Sequence, residues 1–181
     1  MKSRLSAALL SRIFVILRGV VYSAGFVWLW VWLAISVRPY DARLPISLPL
    51  WLRPIGAALA IPGGLLALAC IATFVTRGRG TPAPFDPPRE FVASGPYRYV
   101  RNPMYVGAAA TMLGAGLVVS SPSIALLALP FLLTMHLFVV LYEEPTLARK
   151  FGSSYAHYRA SVHRWLIRLP DASPPIDDRL R

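Results

Sequence analysis

Four long apolar runs dominate the pattern of hydrophobic and polar positions: residues 13–37, 55–76, 104–119 and 124–141. The first two are long enough to cross a hydrocarbon layer of ~30 Å as helices. The last two are shorter and are joined by Ser120-Ser121-Pro122-Ser123, which predicts a tight helical hairpin that thins the bilayer locally. The expected fold is therefore all-α and integral to a membrane, with four transmembrane helices. Arg18 interrupts the first run near its start and can snorkel to the nearer surface. Trp28, Trp30 and Trp32 approach its far end like an interfacial belt. Pro62-Gly63-Gly64 predicts a kink near the middle of the second run.

After the fourth run the period changes. Leu147, Phe151, Tyr155, Tyr158 and Val162 follow helical spacing, with Arg149, Lys150, Arg159 and Arg164 mostly off that stripe. This predicts cytoplasmic amphipathic C-terminal helices, interrupted at Gly152 and restarted by Ser153 or Ser154. They would lie on the membrane surface or lid the open end of the hairpin. Between the second and third runs, the prolines from Pro82 to Pro88 predict an extended, stiff segment. The chain reads as one membrane domain over 1–181: two N-terminal transmembrane helices within 13–76, a functional core over 77–169 and a flexible tail over 170–181.

Composition agrees with the runs. Of 181 residues, 56% are hydrophobic, and the mean hydropathy is +0.53, too apolar for an ordinary soluble domain. The net charge is +11, but the basic residues flank apolar runs, so they read as membrane-facing charge and nucleic acid is not expected as a partner. With both termini inside, fifteen of the 19 basic residues fall on the inner side, which predicts cytoplasmic termini. Stretches 77–103 and 142–169 then share the cytoplasmic face. Cys70 is the single cysteine. It reads as a small buried hydrophobe, and no metal-binding pattern surrounds it. The basic N-terminus leads into an apolar run too long for a signal peptide and is expected to stay in the mature chain.

Three places carry candidate chemistry. The stretch Gly95–Tyr105, GPYRYVRNPMY, is denser in aromatics and prolines than a simple interfacial anchor. Gly107, Thr111 and Gly114 share a helix face, which suits close packing by another helix. On the fourth run His136 and Glu143 share a face. A membrane histidine ordinarily satisfies one hydrogen bond inside a bundle, and the carboxylate beside it raises a polar, substrate-lining cavity as the alternative. Glu143-Glu144-Pro145 ends the run. In the ordinary account Glu144 caps the next helix and Glu143 pairs with an arginine. In the functional account the pair meets a cation, with Arg98 and Arg101 as neighbours at the open end of the hairpin.

GPYRYVRNPMYVG, followed by EEPTLARKFGSSYAHYRASVHRWL, resembles the isoprenylcysteine carboxyl methyltransferases, the related phospholipid methyltransferases and their bacterial homologues. The likeness covers about residues 78–169. It implies an enzyme of the bacterial inner membrane that uses S-adenosylmethionine without a dinucleotide fold, and it makes 77–169 the cofactor-binding methyltransferase core. No GxGxxG lies between a strand and a helix, and Gly114-Ala115-Gly116 reads as packing. Carried over, Tyr97, Arg98, Tyr99, Asn102, Pro103 and Tyr105 form one wall of a cofactor pocket, and Glu143 and Glu144 the other. Glu144, Arg101 and Arg159 are the candidate catalytic and acceptor-orienting residues. Tyr155, Tyr158 and His136 are candidates for lining the path of a lipid or small amphiphilic acceptor, a carboxylate, amine or thiol. Many members of the resembled family carry histidine where Asn102 stands. Asparagine does not titrate, so this position is expected to recognise a ligand without removing a proton, and Glu144 becomes the first candidate base. A non-enzymatic scaffold or transporter subunit would instead leave residues 95–105 and 143–159 far apart, and a membrane reductase would bind a nicotinamide.

Overall fold

The computed structural model describes residues 2–77 and 91–167. The proline-rich stretch 82–88, the tail 170–181 and five of the charges expected on the inner side, Arg79, Arg89, Arg168, Arg179 and Arg181, lie outside the described residues, as do the side chains of Lys2, Arg4, Arg12, Arg18 and Arg77.

Every regular element among the described residues is helical. Helix α1 spans Lys2–Val37 and ends in a 3-10 turn, Arg38–Arg43. Helix α2 spans Leu52–Arg77 and runs unbroken through Pro62. A second 3-10 turn, Gly95–Arg98, precedes α3, Pro103–Val118. Then follow α4, Pro122–Leu126, α5, Ala128–Phe138, a π-helical turn, Val139–Glu143, and α6, Glu144–Ser161. Three stretches are long and apolar enough to cross a membrane: Val20–Arg43, Leu52–Phe74 and Pro122–Ser161. The expected fourth span, α3, is apolar but has 16 residues, about 24 Å of helix.

Helices α2 and α3 pack antiparallel through glycine. A Cβ on Gly56 would lie 2.7 Å from Gly114 O, and one on Gly63 the same distance from Gly107 O. Gly107, Thr111 and Gly114 are thus the face on which a neighbouring helix sits, and that helix is α2. Bare backbone at these four positions lets the two helices approach closely enough for dispersion contacts to hold them, which matters where lipid removes the hydrophobic drive between helices. A separate apolar core joins α1, α3 and α5: Phe131 lies fully buried among Phe26, Trp30, Tyr105, Ala109, Met135 and Val139. Trp30 meets the Phe131 ring edge-on at 4.8 Å. Trp30 therefore belongs to the bundle, while Trp28 and Trp32 stack on each other at the exposed face.

At the closed end of the hairpin, Asp41 Oδ1 accepts from Ser123 N at 2.8 Å and from Ser123 Oγ at 2.5 Å. Arg53 Nε donates to Ser120 Oγ at 3.3 Å. These bonds clamp the end of α1 and the start of α2 to the turn between α3 and α4. The open end, where α3 starts and α5 stops, is left for the residues singled out by sequence.

Candidate functional site

The wall before α3 is built by turn chemistry. Gly95 has φ +60°, which a side chain rarely adopts, and a Cβ there would meet Thr73 Oγ1 at 3.0 Å. This tight turn lays Tyr97 against α2, where it is buried and meets Phe74 edge-on at 5.2 Å. Burial, with Cys70 and Glu143 nearby, holds the Tyr97 phenol well above its ordinary pKa, so it stays protonated. Arg98 and Tyr99 point outward and are exposed. Pro103 then occupies the first turn of α3, where its missing N–H costs nothing. Asn102 precedes it at the cap position but does not cap the helix. Its Nδ2 donates instead to Arg164 O at 3.1 Å.

The opposite wall comes from the π turn. A π turn holds one extra residue, which rotates everything after it by about 100° relative to a continuous α-helix. Glu143 ends that turn and Glu144 starts α6, with Pro145 in its first turn. The acidic pair is thereby divided. Tyr105 Oη donates to Glu143 Oε2 at 3.2 Å. Glu144, which is buried, accepts from Arg164 Nε on Oε1 and from Arg164 Nη2 on Oε2, each at 2.8 Å. Arg101 Nη2 lies 3.1 Å from the same Oε1. The bidentate bond to Glu144 raises the Arg164 pKa further above its already high value.

Several expectations change here. The simple account paired Glu143 with an arginine and used Glu144 as a cap; it is Glu144 that meets arginine, and Glu143 that meets a tyrosine. Of the two expected arginine neighbours, Arg101 is in place and Arg98 is turned to the surface. The second partner of Glu144 is Arg164, which sequence had placed among the inner-side charges. In a chain of 19 basic residues nothing marks one arginine twenty positions downstream. The π turn that re-aims the acidic pair likewise has no local signature in VVLYE.

Arg101 is only 10% exposed in its side chain, yet its Nε and Nη1 have no hydrogen-bond partner among the described residues. A buried guanidinium with two idle donors is costly unless something else receives them. Tyr155 and Tyr158 form the floor beside it, buried with Phe91, Leu147, Phe151 and Val162. Tyr158 Oη donates to Tyr97 O at 2.7 Å, tying the two walls together. Gly152 breaks the regular helix at φ +51°, as the sequence suggested. Arg159 is exposed on an open groove of about 530 Å³ lined by Ala148, Gly152, Tyr155, Ala156 and Ala160. His136 lies apart from Glu143's hydrogen bond and accepts from Trp165 Nε1 at 3.1 Å through Nδ1, so it satisfies a bond inside the bundle.

The stretches 95–105 and 143–159 therefore meet, contrary to what a scaffold with separate motifs would show. The family model for phospholipid methyltransferase matches residues 52–154 of the chain. That match takes in α2, the wall before α3, the hairpin, the π turn and the first half of α6. No curated protein and no solved structure matches the chain.

Proposed function

Because the chain belongs to the phospholipid methyltransferase family, a family of membrane methyltransferases, we propose that it uses S-adenosylmethionine to methylate a lipid or small amphiphilic acceptor at the cytoplasmic mouth of the hairpin. The observation that carries the reading is Arg101: a guanidinium nine-tenths buried, held by Glu144 on one nitrogen and offering Nε and Nη1 to no residue described. These two donors diverge on either side of the nitrogen held by Glu144, and a carboxylate that meets either of them makes a charge-assisted bond; the amino-acid end of S-adenosylmethionine carries one.

When bound, S-adenosylmethionine supplies an electrophilic methyl group on a sulfonium cation. The chain's residues divide the remaining work. Glu143 faces the cationic part with the oxygen that Tyr105 leaves free, and Tyr105 fixes the other oxygen. Tyr99 and Arg98, exposed at the rim, meet the ligand's outer portion. Asn102 and Pro103 hold Arg101 in place through the backbone, and Tyr97 supplies the wall behind it. Tyr155 and Tyr158 exclude water from the floor, which favours reaction between a cation and a neutral or anionic acceptor. Arg159, at the groove, orients the acceptor. Glu144 was the first candidate for the base, but both its oxygens already accept from guanidinium groups. With its remaining oxygen turned to the ligand's cationic part, Glu143 does not serve as that base either, and an amine acceptor must arrive neutral.

Calorimetry on the protein in lipid nanodiscs tests this. S-adenosylmethionine should bind, NADH should not, and Arg101→Gln should weaken the binding at least about tenfold, the equivalent of one charge-assisted bond. Labelled methyl transfer into co-purified lipid then identifies the acceptor. Absence of S-adenosylmethionine binding in every lipid mixture tried, or binding of NADH instead, would overturn the proposal.

A further inference from the structure

Residues 162–167 leave α6 extended, with Val162 at φ −124° and ψ 131°, and return across the mouth of the hairpin. Four contacts pin them there. His163 O accepts from Arg101 N at 2.9 Å. Arg164 O accepts from Asn102 Nδ2 at 3.1 Å, and the Arg164 guanidinium grips Glu144. Trp165 Nε1 donates to His136 Nδ1 at 3.1 Å. Two of the four contacts land on residues 101 and 102, and a third on the carboxylate that holds Arg101. Whatever fastens this segment therefore also fixes the direction of the idle Arg101 donors.

The contact that involves neither residues 101 and 102 nor Glu144 is the indole–imidazole bond. An indole N–H can only donate, so His136 Nδ1 must carry a lone pair and the imidazole must be the neutral Nε2–H tautomer. Trp165 also packs on the core cluster of Tyr105, Ala109, Phe131, Met135 and Val139. Packing alone would let the ring slide or turn over. The hydrogen bond gives it one register, because losing it strands an indole donor against an apolar cluster.

We propose that Trp165 and His136 are positioning residues: their hydrogen bond latches residues 162–167 over the site, and through the His163 and Arg164 carbonyls and the Arg164 guanidinium it sets Arg101 and Glu144 for ligand binding. The latch stands on the geometry alone; its consequence for ligand affinity rests on the proposed methyltransferase reading.

The test uses the full chain in nanodiscs and three variants. Trp165→Phe keeps an aromatic ring and removes the donor. His136→Leu removes the acceptor, and His136→Asn returns an acceptor oxygen near the position of Nδ1. The first readout is hydrogen exchange at the Arg101 amide, which is bonded to His163 O and reports the strap whether or not any ligand binds. The second is S-adenosylmethionine affinity and the split between KM and kcat. Trp165→Phe and His136→Leu should each speed Arg101 exchange about threefold to tenfold, the yield of one net hydrogen bond. They should weaken binding by a similar factor, with the loss in KM rather than kcat. His136→Asn should recover most of both losses. Unchanged Arg101 exchange in His136→Leu overturns the latch, and so does a His136→Asn that behaves like His136→Leu, since bulk and not the bond would then matter. If the wild-type chain binds no S-adenosylmethionine, the functional reading fails while the exchange experiment still decides the latch.

Discussion

Replacing each member of the acidic pair by glutamine separates a carboxylate that holds the site together from one that is open to a ligand. Glu144 bonds Arg164 with both oxygens and lies 3.1 Å from Arg101 Nη2. The side chains of Glu144 and Arg101 are 9% and 10% exposed, whereas that of Arg164 is 32% exposed. Glu144→Gln leaves Arg101 buried without a counter-charge, and breaking such a pair costs about 3–5 kcal/mol. Arg164 regains water, so its share is near the about 0–1 kcal/mol of a surface pair. Glutamine keeps the size of the side chain and one acceptor oxygen, which returns about 1 kcal/mol. The net is a destabilisation of about 3 kcal/mol, or a fall in Tm of about 6–12 °C for a chain of this size.

Glu143→Gln should behave differently. The Tyr105 hydroxyl still finds an acceptor, and among the described residues no guanidinium loses a counter-charge. Its Tm should stay within about 3 °C of wild type, while its affinity for S-adenosylmethionine falls about tenfold or more through the loss of a charged contact. Thermal unfolding of both variants in one detergent, followed by calorimetry, measures the pair. The reasoning is refuted if Glu143→Gln is the less stable of the two, or if Glu144→Gln melts within about 2 °C of wild type.

Gly114→Ala places a Cβ 2.5 Å from Gly56 O and 2.6 Å from Ala60 N, both backbone atoms of α2. The two helices must separate, so a loss of about 3 kcal/mol is expected in the same unfolding assay, against no loss for Gly25→Ala, where nothing lies within 4 Å. Tyr158→Phe removes the donor at 2.7 Å from Tyr97 O. Leaving that carbonyl unpaired in a buried place should lower stability by about 1–3 kcal/mol, read by thermal unfolding.

The helices were legible in the sequence because membrane solvation enforces a simple code: long apolar runs become helices, and glycines at helical spacing become contact faces. The α2–α3 glycine contact, the helix start at Pro103 and the break at Gly152 all follow from local residue chemistry. The new helix expected at Pro145 is α6, with Pro145 in its first turn, but it follows α5 without a gap because a π turn carries the chain from one into the other. The π turn depends on how the whole bundle packs, so VVLYE does not announce it. Arg164 and Trp165 were illegible for a different reason. Their partners, Glu144 and His136, lie 20 and 29 positions away, and the approach exists only because residues 162–167 turn back across the mouth. His136 on the face of Glu143 was read from helical spacing alone, and spacing cannot say that an indole would arrive from outside the helix.

Among the described residues the charges around the open end nearly close on themselves, and what is left over supports the ligand proposed above. Arg164 is spent on Glu144, and Arg101 spends one nitrogen on the same carboxylate. Asn102 is spent on a carbonyl, and Tyr105 on Glu143. Two donors on Arg101 are left without a partner among the described residues, together with one oxygen on Glu143. A purely cationic ligand would satisfy Glu143 and leave Arg101 idle, and a purely anionic one would do the reverse. A zwitterion satisfies both, and the amino-acid end of S-adenosylmethionine is one. On the proposed reading Glu144 contributes without touching the ligand: it balances one of the two guanidinium charges it meets, those of buried Arg101 and partly exposed Arg164, so that Arg101 can face an anion without the site carrying an excess of positive charge that would repel the sulfonium. The two adjacent glutamates, indistinguishable in sequence, meet a tyrosine and an arginine respectively, because one residue of π geometry turns them towards different partners; on the proposed reading one faces the ligand and the other is a structural counter-ion.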